Sequence, residues 1–234
     1  MSARSGRLGV GIVGAGRVGP VLGAALGGAG HAITGVSAVS EESRDRAEAL
    51  LPGVPVLEVA EVVRRSELVL FAIPAAELPG VIAGLTTLGA WQPGQIVAHT
   101  AAEHGFGVFA PAMASGVIPI AFHPSMVFSG TSMDLARLAE SSVAVTAPAP
   151  VLPIGQALVV EMGAEPVVVE EAHRAVYADA VAAAGEFSAA VVRQAVEALR
   201  GIGVEAPGRT IASIVRASVD EALRAASGEN DPLG

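Results

Sequence analysis

Short apolar runs alternate with helix-forming stretches through most of the chain. The apolar runs have the length of buried strands, and the segments between them carry apolar positions at helical spacing. Alternation of this kind predicts an α/β fold with a doubly wound, mainly parallel sheet and helices on both faces. The predicted strands cover residues 8–13, 31–39, 67–74, 95–100, 117–124, 141–147 and 165–169.

The pattern changes after Glu170. Residues 170–200 and 209–226 have apolar positions at helical spacing without a strand signal, and a break that contains glycine and proline separates them. This change predicts a domain boundary and a small all-helical domain at the carboxyl end. The predicted organisation is therefore a sheet domain at residues 1–169 and a helical domain at residues 170–234.

Three glycines follow the first predicted strand. They have the spacing GxGxxG, and they open the first predicted helix within a βαβ unit of about thirty residues. In that context Gly14 allows a tight turn, Gly16 lets a pyrophosphate approach the backbone, and Gly19 lets the helix pack closely. The motif predicts a Rossmann dinucleotide-binding domain, with N–H groups at the helix start facing the pyrophosphate. The predicted cofactor-binding residues of this loop are Gly14, Gly16, Arg17, Val18 and Gly19.

The residues after the second predicted strand bear on the choice between NAD and NADP. An NAD site usually has an acid there that binds the ribose 2′-hydroxyl, whereas this chain has serines. Hydroxyl groups and arginine suit a 2′-phosphate, so Ser40, Ser43 and Arg44 are predicted to bind it. Glu41 or Glu42 could instead be the acid of an NAD site, although both suit the first turn of a helix. The predicted cofactor is NADP, with NAD left open.

Charge and composition exclude several classes of function. The net charge is −9 and the 14 basic residues form no cluster, which argues against nucleic-acid binding. The chain contains no cysteine, which excludes disulfides and thiolate catalysis, and its His and carboxylate spacings suggest no metal site. Its apolar stretches are too short for a signal peptide or too interrupted for a membrane span. We therefore expect a cytoplasmic protein without a membrane segment.

Several candidate residues end predicted strands at the carboxyl edge of the sheet, where ligands bind in open α/β folds. His123 is the leading candidate for protonating a nascent alkoxide, and its alternative role is a hydrogen bond that closes a loop. Ala72 and Pro74 end another strand and would let a nicotinamide approach closely. Thr100 would contact the ribose of the nicotinamide or close a turn.

The chain has no lysine and a single tyrosine, Tyr177. A Schiff base and a tyrosine–lysine proton-donor pair are therefore impossible. The histidines, Tyr177 and the carboxylic acids are the groups that can exchange protons near neutral pH. Tyr177 and Glu186 lie near the predicted domain junction, at spacings compatible with one helix face. Both are candidates for catalysis or, alternatively, for hydrogen bonds at the surface and between helices.

The chain resembles a known superfamily in several motifs. GIVGAGRVGP, LVLFAIP, HT at 99–100 and FHP at 122–124 follow the order of the 6-phosphogluconate-dehydrogenase-like Rossmann superfamily. FHPSMVFSGTSMDL, LVVEMGAEPV and RAVY narrow the resemblance to a bacterial family that joins a Rossmann-like domain to a helical carboxyl-terminal domain of long-undefined function. Ketopantoate reductase activity is attributed to relatives, so the resemblance implies NADPH-dependent reduction of a small keto acid.

The chain departs from this family where a substrate would bind. The family usually has Ser-Gly after the His-Thr pair, a His after the RxxY tyrosine and an Asn later in that helix. Here these positions are Ala101 and Ala102, Ala178 and Glu186. The leading hypothesis is an NADP(H)-dependent oxidoreductase acting on a small keto acid. The alternatives are a non-catalytic nucleotide-binding protein and reduction of an imine, as in pyrroline-carboxylate reductases. We also expect a small-molecule substrate and a homodimer formed through the helical domain.

Overall fold

The computed structural model describes residues 7–226 and contains a seven-stranded sheet. The strands are β1 (Gly9–Val13), β2 (Ala32–Ser37), β3 (Leu68–Phe71), β4 (Ile96–His99), β5 (Ile118–Pro124), β6 (Ser142–Thr146) and β7 (Glu165–Val168). Their order in the sheet is β2-β1-β3-β4-β5-β6-β7, and every neighbouring pair is parallel except β5 with β6. The mainly parallel α/β fold predicted from the sequence is confirmed.

The helices between the strands have recognisable start signals. Proline stands in the first turn of the first, fourth and seventh helices, where its missing N–H costs no helical hydrogen bond. Ser40 caps the second helix, because its side chain accepts a hydrogen bond from the Ser43 N–H. The helices are α1 (Gly19–Gly28), α2 (Glu41–Leu50), α3 (Val59–Arg64), α4 (Leu78–Thr87), α5 (Ala110–Met113), α6 (Met133–Ala139), α7 (Leu152–Glu161), α8 (Arg174–Gly201) and α9 (Pro207–Ala226), with 3-10 turns at Phe106–Phe109 and Glu171–His173.

Apolar side chains cover both faces of the sheet. On one face Ile12, Leu70 and Ile120 pack with residues of α1 and α7. On the other face Phe71 and Val97 pack with residues of α3 and α4. Successive side chains of a strand point to opposite faces, so strands buried on both sides appear in the sequence as continuous apolar runs.

The carboxyl ends of four parallel strands lie side by side. Val13 pairs with Phe71, Phe71 with His99, and His99 with Ala121, so one row of residues crosses the sheet. β6 runs in the opposite direction, and Thr146 at its end pairs with Ala121. This edge of the sheet therefore brings together the glycine loop and the ends of the strands that carry the other candidate residues.

Contacts divide the chain into two compact units, which meet in sequence between Ala178 and Asp179. The division falls inside α8, later along the chain than the predicted boundary near residue 169. The first turn of α8 consequently belongs to the sheet unit. Its side chains, which include Arg174 and Tyr177, hydrogen-bond to residues of the sheet edge.

The second unit contains the rest of α8 together with α9, and it exposes large apolar side chains. Phe187 is 72% exposed, Val191 63% and Ile214 67%. These side chains line a groove of about 400 Å³. The segment Glu171–Gly201 has the length and composition of a membrane-spanning helix, with a mean hydropathy of 1.4 and 0% of its apolar window buried, and a single helix of this kind is weak evidence for a membrane span. Most of the ten amino-terminal residues behind the signal-peptide argument lie outside the described residues.

Candidate functional site

Packing within the chain accounts for two of the three glycines in the loop after β1. Gly14 has a φ of 102°, and a Cβ atom at this position would lie 2.5 Å from the carbonyl oxygen of Ala72. A Cβ atom on Gly19 would lie 2.1 Å from the carbonyl oxygen of Gly14. Gly16 differs, because within residues 7–226 no atom other than those of Gly16 and its two chain neighbours lies within 4 Å of the position that its Cβ would take. The loop thus leaves an open cradle at Gly16 that a side chain would fill.

The start of α1 borders this cradle. Val18 precedes the helix, and no described side chain caps the helix there. The backbone N–H groups of a first helical turn lack helical partners, and the helix dipole places partial positive charge beside them. Arg17, next in sequence to Gly16, has an exposed side chain. These residues fit the pyrophosphate of a dinucleotide, because they offer an anion backbone donors, positive charge and space.

The predicted 2′-phosphate residues lie at the start of α2. Ser40 and Ser43 form a reciprocal capping box, in which each side-chain oxygen accepts a hydrogen bond from the backbone N–H of the other. The Ser43 hydroxyl also donates to the Ser40 carbonyl oxygen, 2.7 Å away. Arg44 is exposed. The two hydroxyls therefore stabilise the helix start, and their contact with a phosphate stays a prediction.

Arg46, a second arginine of the segment that the sequence associates with a 2′-phosphate, lies against the glycine loop. Its Nη1 donates to the carbonyl oxygen of Ala15 at 3.1 Å, and its Nη2 lies 2.6 Å from Glu42 Oε1. The Arg46 side chain is only 15% exposed, whereas that of Glu42 is 81% exposed. A second cation is thus held against the loop. The i,i+4 spacing of Glu42 and Arg46 is the sequence signal that predicts their ion pair.

The residues after β3 and β4 continue the same edge. The N–H of Ala72 donates to the carbonyl oxygen of Val13 at 2.8 Å, and that of Thr100 donates to Phe71 at 3.1 Å. Pro74 is exposed in the loop that follows β3. Ala72 and Thr100 therefore extend the ladder of strand hydrogen bonds beyond the strand ends, towards the region of the glycine loop. Their contact with a nicotinamide stays a prediction.

Tyr177 joins two residues of β5 and the loop behind it. Its hydroxyl lies 2.8 Å from His123 Nδ1 and 2.7 Å from Ser125 Oγ. The rings of His123 and Tyr177 meet edge to face, with centroids 5.5 Å apart. Ser125 is exposed, whereas His123 and Tyr177 are half-buried. The structure thus brings two of the predicted catalytic residues into one hydrogen-bonded cluster and adds Ser125, which sequence reasoning missed.

Arg174 lies one helical turn before Tyr177 and is 2% exposed. Its Nε donates to Thr146 Oγ1 at 2.8 Å, and its Nη2 donates to the carbonyl oxygen of Ala121 at 3.0 Å. Its guanidinium carbon lies 5.6 Å from the centre of the Tyr177 ring. Sequence reasoning gave Arg174 no role, although it opens the motif RAVY. Arg174 fixes the start of α8 against the ends of β5 and β6.

Burial and nearby charges determine the protonation state of His123. Burial, with a smaller contribution from the Arg174 charge, lowers the pKa of His123 to about 4, while Glu103 opposes the shift. His123 is therefore uncharged at neutral pH. A neutral imidazole is a much weaker acid than imidazolium, so this environment does not suit the proton-donor role predicted for His123. It suits a histidine that accepts or donates a hydrogen bond at Tyr177.

The loop after β4 is held from both sides. The N–H of Ala101 donates to His99 Nδ1, so the opposite ring nitrogen of His99 donates to the carbonyl oxygen of Gly105 at 2.9 Å. The Glu171 carboxylate accepts hydrogen bonds from the N–H groups of Phe106 and Gly107 at 2.9 Å. Burial is the main reason that the pKa of His99 falls to about 4, and the ring is uncharged at neutral pH.

Glu186 belongs to the second unit, on the exposed part of α8. Its predicted catalytic role stays a prediction. Within residues 7–226 no group of three His, Asp or Glu side chains has the arrangement of a metal site.

Comparison with protein families gives two matches. Residues 1–124 match the Rossmann-like domain, and residues 141–230 match a domain of unknown function, DUF2520. A search of curated proteins finds no significant match. The two family matches cover both the sheet with its glycine loop and the helices at the carboxyl end.

Solved structures share the fold over nearly the whole chain. A Bacteroides fragilis protein, provisionally assigned as an NADP oxidoreductase, has a TM-score of 0.75 at 16% identity, covering 92% of this chain and 80% of its own. An imine reductase from a Pseudomonas species has a TM-score of 0.70 at 14% identity, covering 95% and 77%. A pyrroline-5-carboxylate reductase from Coxiella burnetii has a TM-score of 0.66 at 12% identity, covering 94% and 80%. At these identities the likeness establishes the fold alone.

Proposed function

Because this chain belongs to the Rossmann-like domain family, we propose that it is an NADP(H)-dependent oxidoreductase that reduces a small keto acid or imine. One observation carries the proposal. The open cradle at Gly16 and the hydrogen-bonded cluster of His123, Ser125 and Tyr177 lie on the same edge of one sheet. Ligands of open α/β sheets bind at this edge.

The glycine loop would hold the cofactor's pyrophosphate. Its backbone N–H groups and the start of α1 favour an anion, and two arginines add positive charge nearby. Serine and arginine at the start of α2, with no acid at the end of β2, favour NADP over NAD. The proposed cofactor-binding residues are Gly14, Gly16, Arg17, Val18, Gly19, Ser40, Ser43, Arg44, Ala72, Pro74 and Thr100.

A bound nicotinamide would supply a hydride to the substrate carbon, and the protein would supply orientation and a proton. Hydride addition to a carbonyl leaves negative charge on oxygen, which a nearby acid must neutralise. Tyr177 is the best donor of the cluster, because His123 is uncharged at neutral pH. Ser125 and His123 would hold the hydroxyl of Tyr177 in place, at 2.7 and 2.8 Å.

The substrate class rests on two lines of support. The sequence resembles a family to whose relatives ketopantoate reductase activity is attributed, which favours a keto acid. The neighbours of like fold named imine reductase and pyrroline-5-carboxylate reductase favour an imine. A protonated imine is already charged and needs less help from a protein acid, so the two classes differ in their dependence on Tyr177.

The exposed apolar face of the second unit suits a second copy of the chain. Its large side chains include Phe187, Val191 and Ile214, and exposed apolar patches of this kind mark interaction sites. A two-fold axis would pair the face with itself. Sedimentation velocity should give a dimer for the unchanged protein and a monomer for Val191→Glu. If the unchanged protein sediments as a monomer at micromolar concentration, the proposed dimer is contradicted.

The experiment for the proposed function is a substrate screen. The protein is incubated with NADPH and a panel of small keto acids and cyclic imines, and the loss of NADPH absorbance is followed. We expect turnover with at least one member of the panel and a strong loss of it in Tyr177→Phe. Tight NADPH binding without turnover on any member would favour a non-catalytic nucleotide-binding protein instead.

A further inference from the structure

Arg174 carries a buried charge without a carboxylate partner. The guanidinium forms no ion pair within the described residues, and it donates to Thr146 Oγ1 and to the carbonyl oxygens of Ala121 and Ala102. Burial lowers the pKa of Arg174, while charge interactions with Tyr177 and Glu171 raise it. Burying a cation without an anionic partner costs free energy. An anion that forms beside such a cation is stabilised by Coulomb attraction.

Tyr177 is the group beside Arg174 that can become such an anion. Its ring centre lies 5.6 Å from the guanidinium carbon, and its hydroxyl lies in the cluster with Ser125 and His123. A cation over a tyrosine ring attracts the neutral ring and attracts the phenolate more strongly. The arrangement therefore places a fixed positive charge beside the ring of Tyr177.

We propose that Arg174 and Tyr177 form a proton-donating pair, in which Tyr177 is the catalytic residue and Arg174 the positioning residue. The sequence excludes a tyrosine–lysine pair because it has no lysine, and here an arginine supplies the charge. The substrate side of this inference rests on the proposed function. The electrostatic coupling of the two side chains stands on the structure and is testable without any ligand.

The step balances as follows. NADPH, when bound, would supply the hydride and become NADP+; a C–H bond would form on the substrate carbon and the carbonyl π electrons would move to oxygen. The Tyr177 Oη–H bond breaks, a new O–H bond forms on the substrate, and the phenolate remains beside Arg174. Ser125 is exposed and 2.7 Å from the phenol oxygen, so it links the phenolate to solvent, which returns the proton. His123 donates a hydrogen bond to the phenolate from Nδ1 in its other neutral tautomer.

Other titratable groups around the pair have defined effects. His99 and His123 have pKa values of about 4 and are uncharged at neutral and alkaline pH. His104, from the same loop as Glu103, lies close enough to affect His99. Of the two nearby acids, Glu103 raises the pKa of His123 and Glu171 raises that of Arg174. Arg174 is thus the group of this set that brings positive charge to the Tyr177 ring at neutral and alkaline pH.

The single tyrosine makes the test direct. Absorbance of tyrosinate near the red edge of the protein spectrum is followed as the pH is raised, and every change reports on Tyr177. In Arg174→Gln we expect the pH of half-ionisation to rise, since an adjacent positive charge favours the anionic form of an acid and this variant removes it. The control Arg193→Gln removes an arginine from the same helix and should leave the midpoint unchanged.

A second variant keeps the test decisive if Arg174→Gln does not fold. Glu171 is exposed, and Glu171→Gln removes a negative charge near Arg174, so its midpoint should fall below that of the unchanged protein. Midpoints that stay the same in Arg174→Gln and Glu171→Gln overturn the proposed pair. Shifted midpoints without NADPH turnover would leave the pair intact and count against the proposed function, which separates the two failures.

Discussion

The two halves of the sheet's carboxyl edge are built in different ways. At β1 the site is made by the backbone: Gly14 and Gly19 let the chain turn and pack, and Gly16 leaves a cradle. At β5 and β6 the site is made by side chains from distant parts of the sequence, above all Arg174 and Tyr177. A backbone site depends on local spacing, whereas a side-chain site depends on how α8 docks against the sheet.

Removal of the Tyr177 hydroxyl should lower turnover more than any other substitution. Tyr177→Phe removes the proposed proton donor, so turnover of a keto acid should fall by about a hundredfold to ten-thousandfold. NADPH affinity should stay within a few-fold, because the glycine half of the edge is untouched. Steady-state rates and calorimetric titration measure the two quantities. An unchanged rate would remove Tyr177 from the chemistry, and an equal loss of affinity would show that the two halves are not separable.

Acid should lower the free energy of unfolding, because His99 and His123 have lowered pKa values in the folded protein. The pKa of His99 is about 4 in the folded protein and about 6.5 in the unfolded chain, so the unfolded chain binds more protons between these values. The contribution of His99 to the free energy of unfolding is therefore fully present above pH 6.5. It is lost as the pH falls to 4, and its size is on the order of 3 kcal/mol. His123 acts in the same direction, and the carboxyl of Asp134, whose pKa is lowered, acts at lower pH.

Urea unfolding at pH 7 and pH 4.5 measures this loss. His99→Gln should show a smaller fall in the free energy of unfolding between the two pH values than the unchanged protein. The control His173→Gln changes an exposed histidine and should behave like the unchanged protein. The account of His99 fails if its variant and the control lose the same free energy.

Replacement of His123 should have a moderate effect. His123→Asn keeps a polar group near the Tyr177 hydroxyl and removes the imidazole, so turnover should fall by only about tenfold, the equivalent of 1.4 kcal/mol. A loss as large as that of Tyr177→Phe would return the role of proton donor to His123. Parallel measurement of kcat for the two variants decides between these assignments.

The smallest effect concerns the choice of nucleotide. Arg44→Gln should weaken NADPH binding by about fivefold and leave NADH binding unchanged, because an exposed arginine contributes about 1 kcal/mol to binding a phosphate. The matched variant Glu41→Gln should change neither affinity. Weaker NADH binding in Glu41→Gln would instead indicate an acid that binds the ribose of NAD.

The sequence could predict the features that local chemistry determines. Gly14 is required by its positive φ in the turn, Gly19 by its close contact with Gly14 a few residues earlier, and Ser40 caps its own helix. Arg174 and Ser125 could not be assigned in this way, because their partners lie tens of residues away along the chain. The burial that keeps His123 uncharged likewise arises only when β5 packs in the folded sheet.

The position of the boundary has the same explanation. A change in apolar periodicity near residue 169 marks the end of the strands. The division by contacts comes later, at Ala178, because Arg174 and Tyr177 attach the first turn of α8 to the sheet edge. Periodicity reports the type of an element, and it contains no information about where that element docks.

Calorimetric titration with NADPH measures whether the glycine half of the edge binds a nicotinamide dinucleotide. Gly16→Val fills the cradle, whereas the control Gly28→Val places the same side chain in open space at the other end of α1. We predict saturable binding to the unchanged protein and to Gly28→Val, and affinity at least about tenfold weaker in folded Gly16→Val. Equal affinity in all three proteins, or no binding to the unchanged protein, would contradict the account.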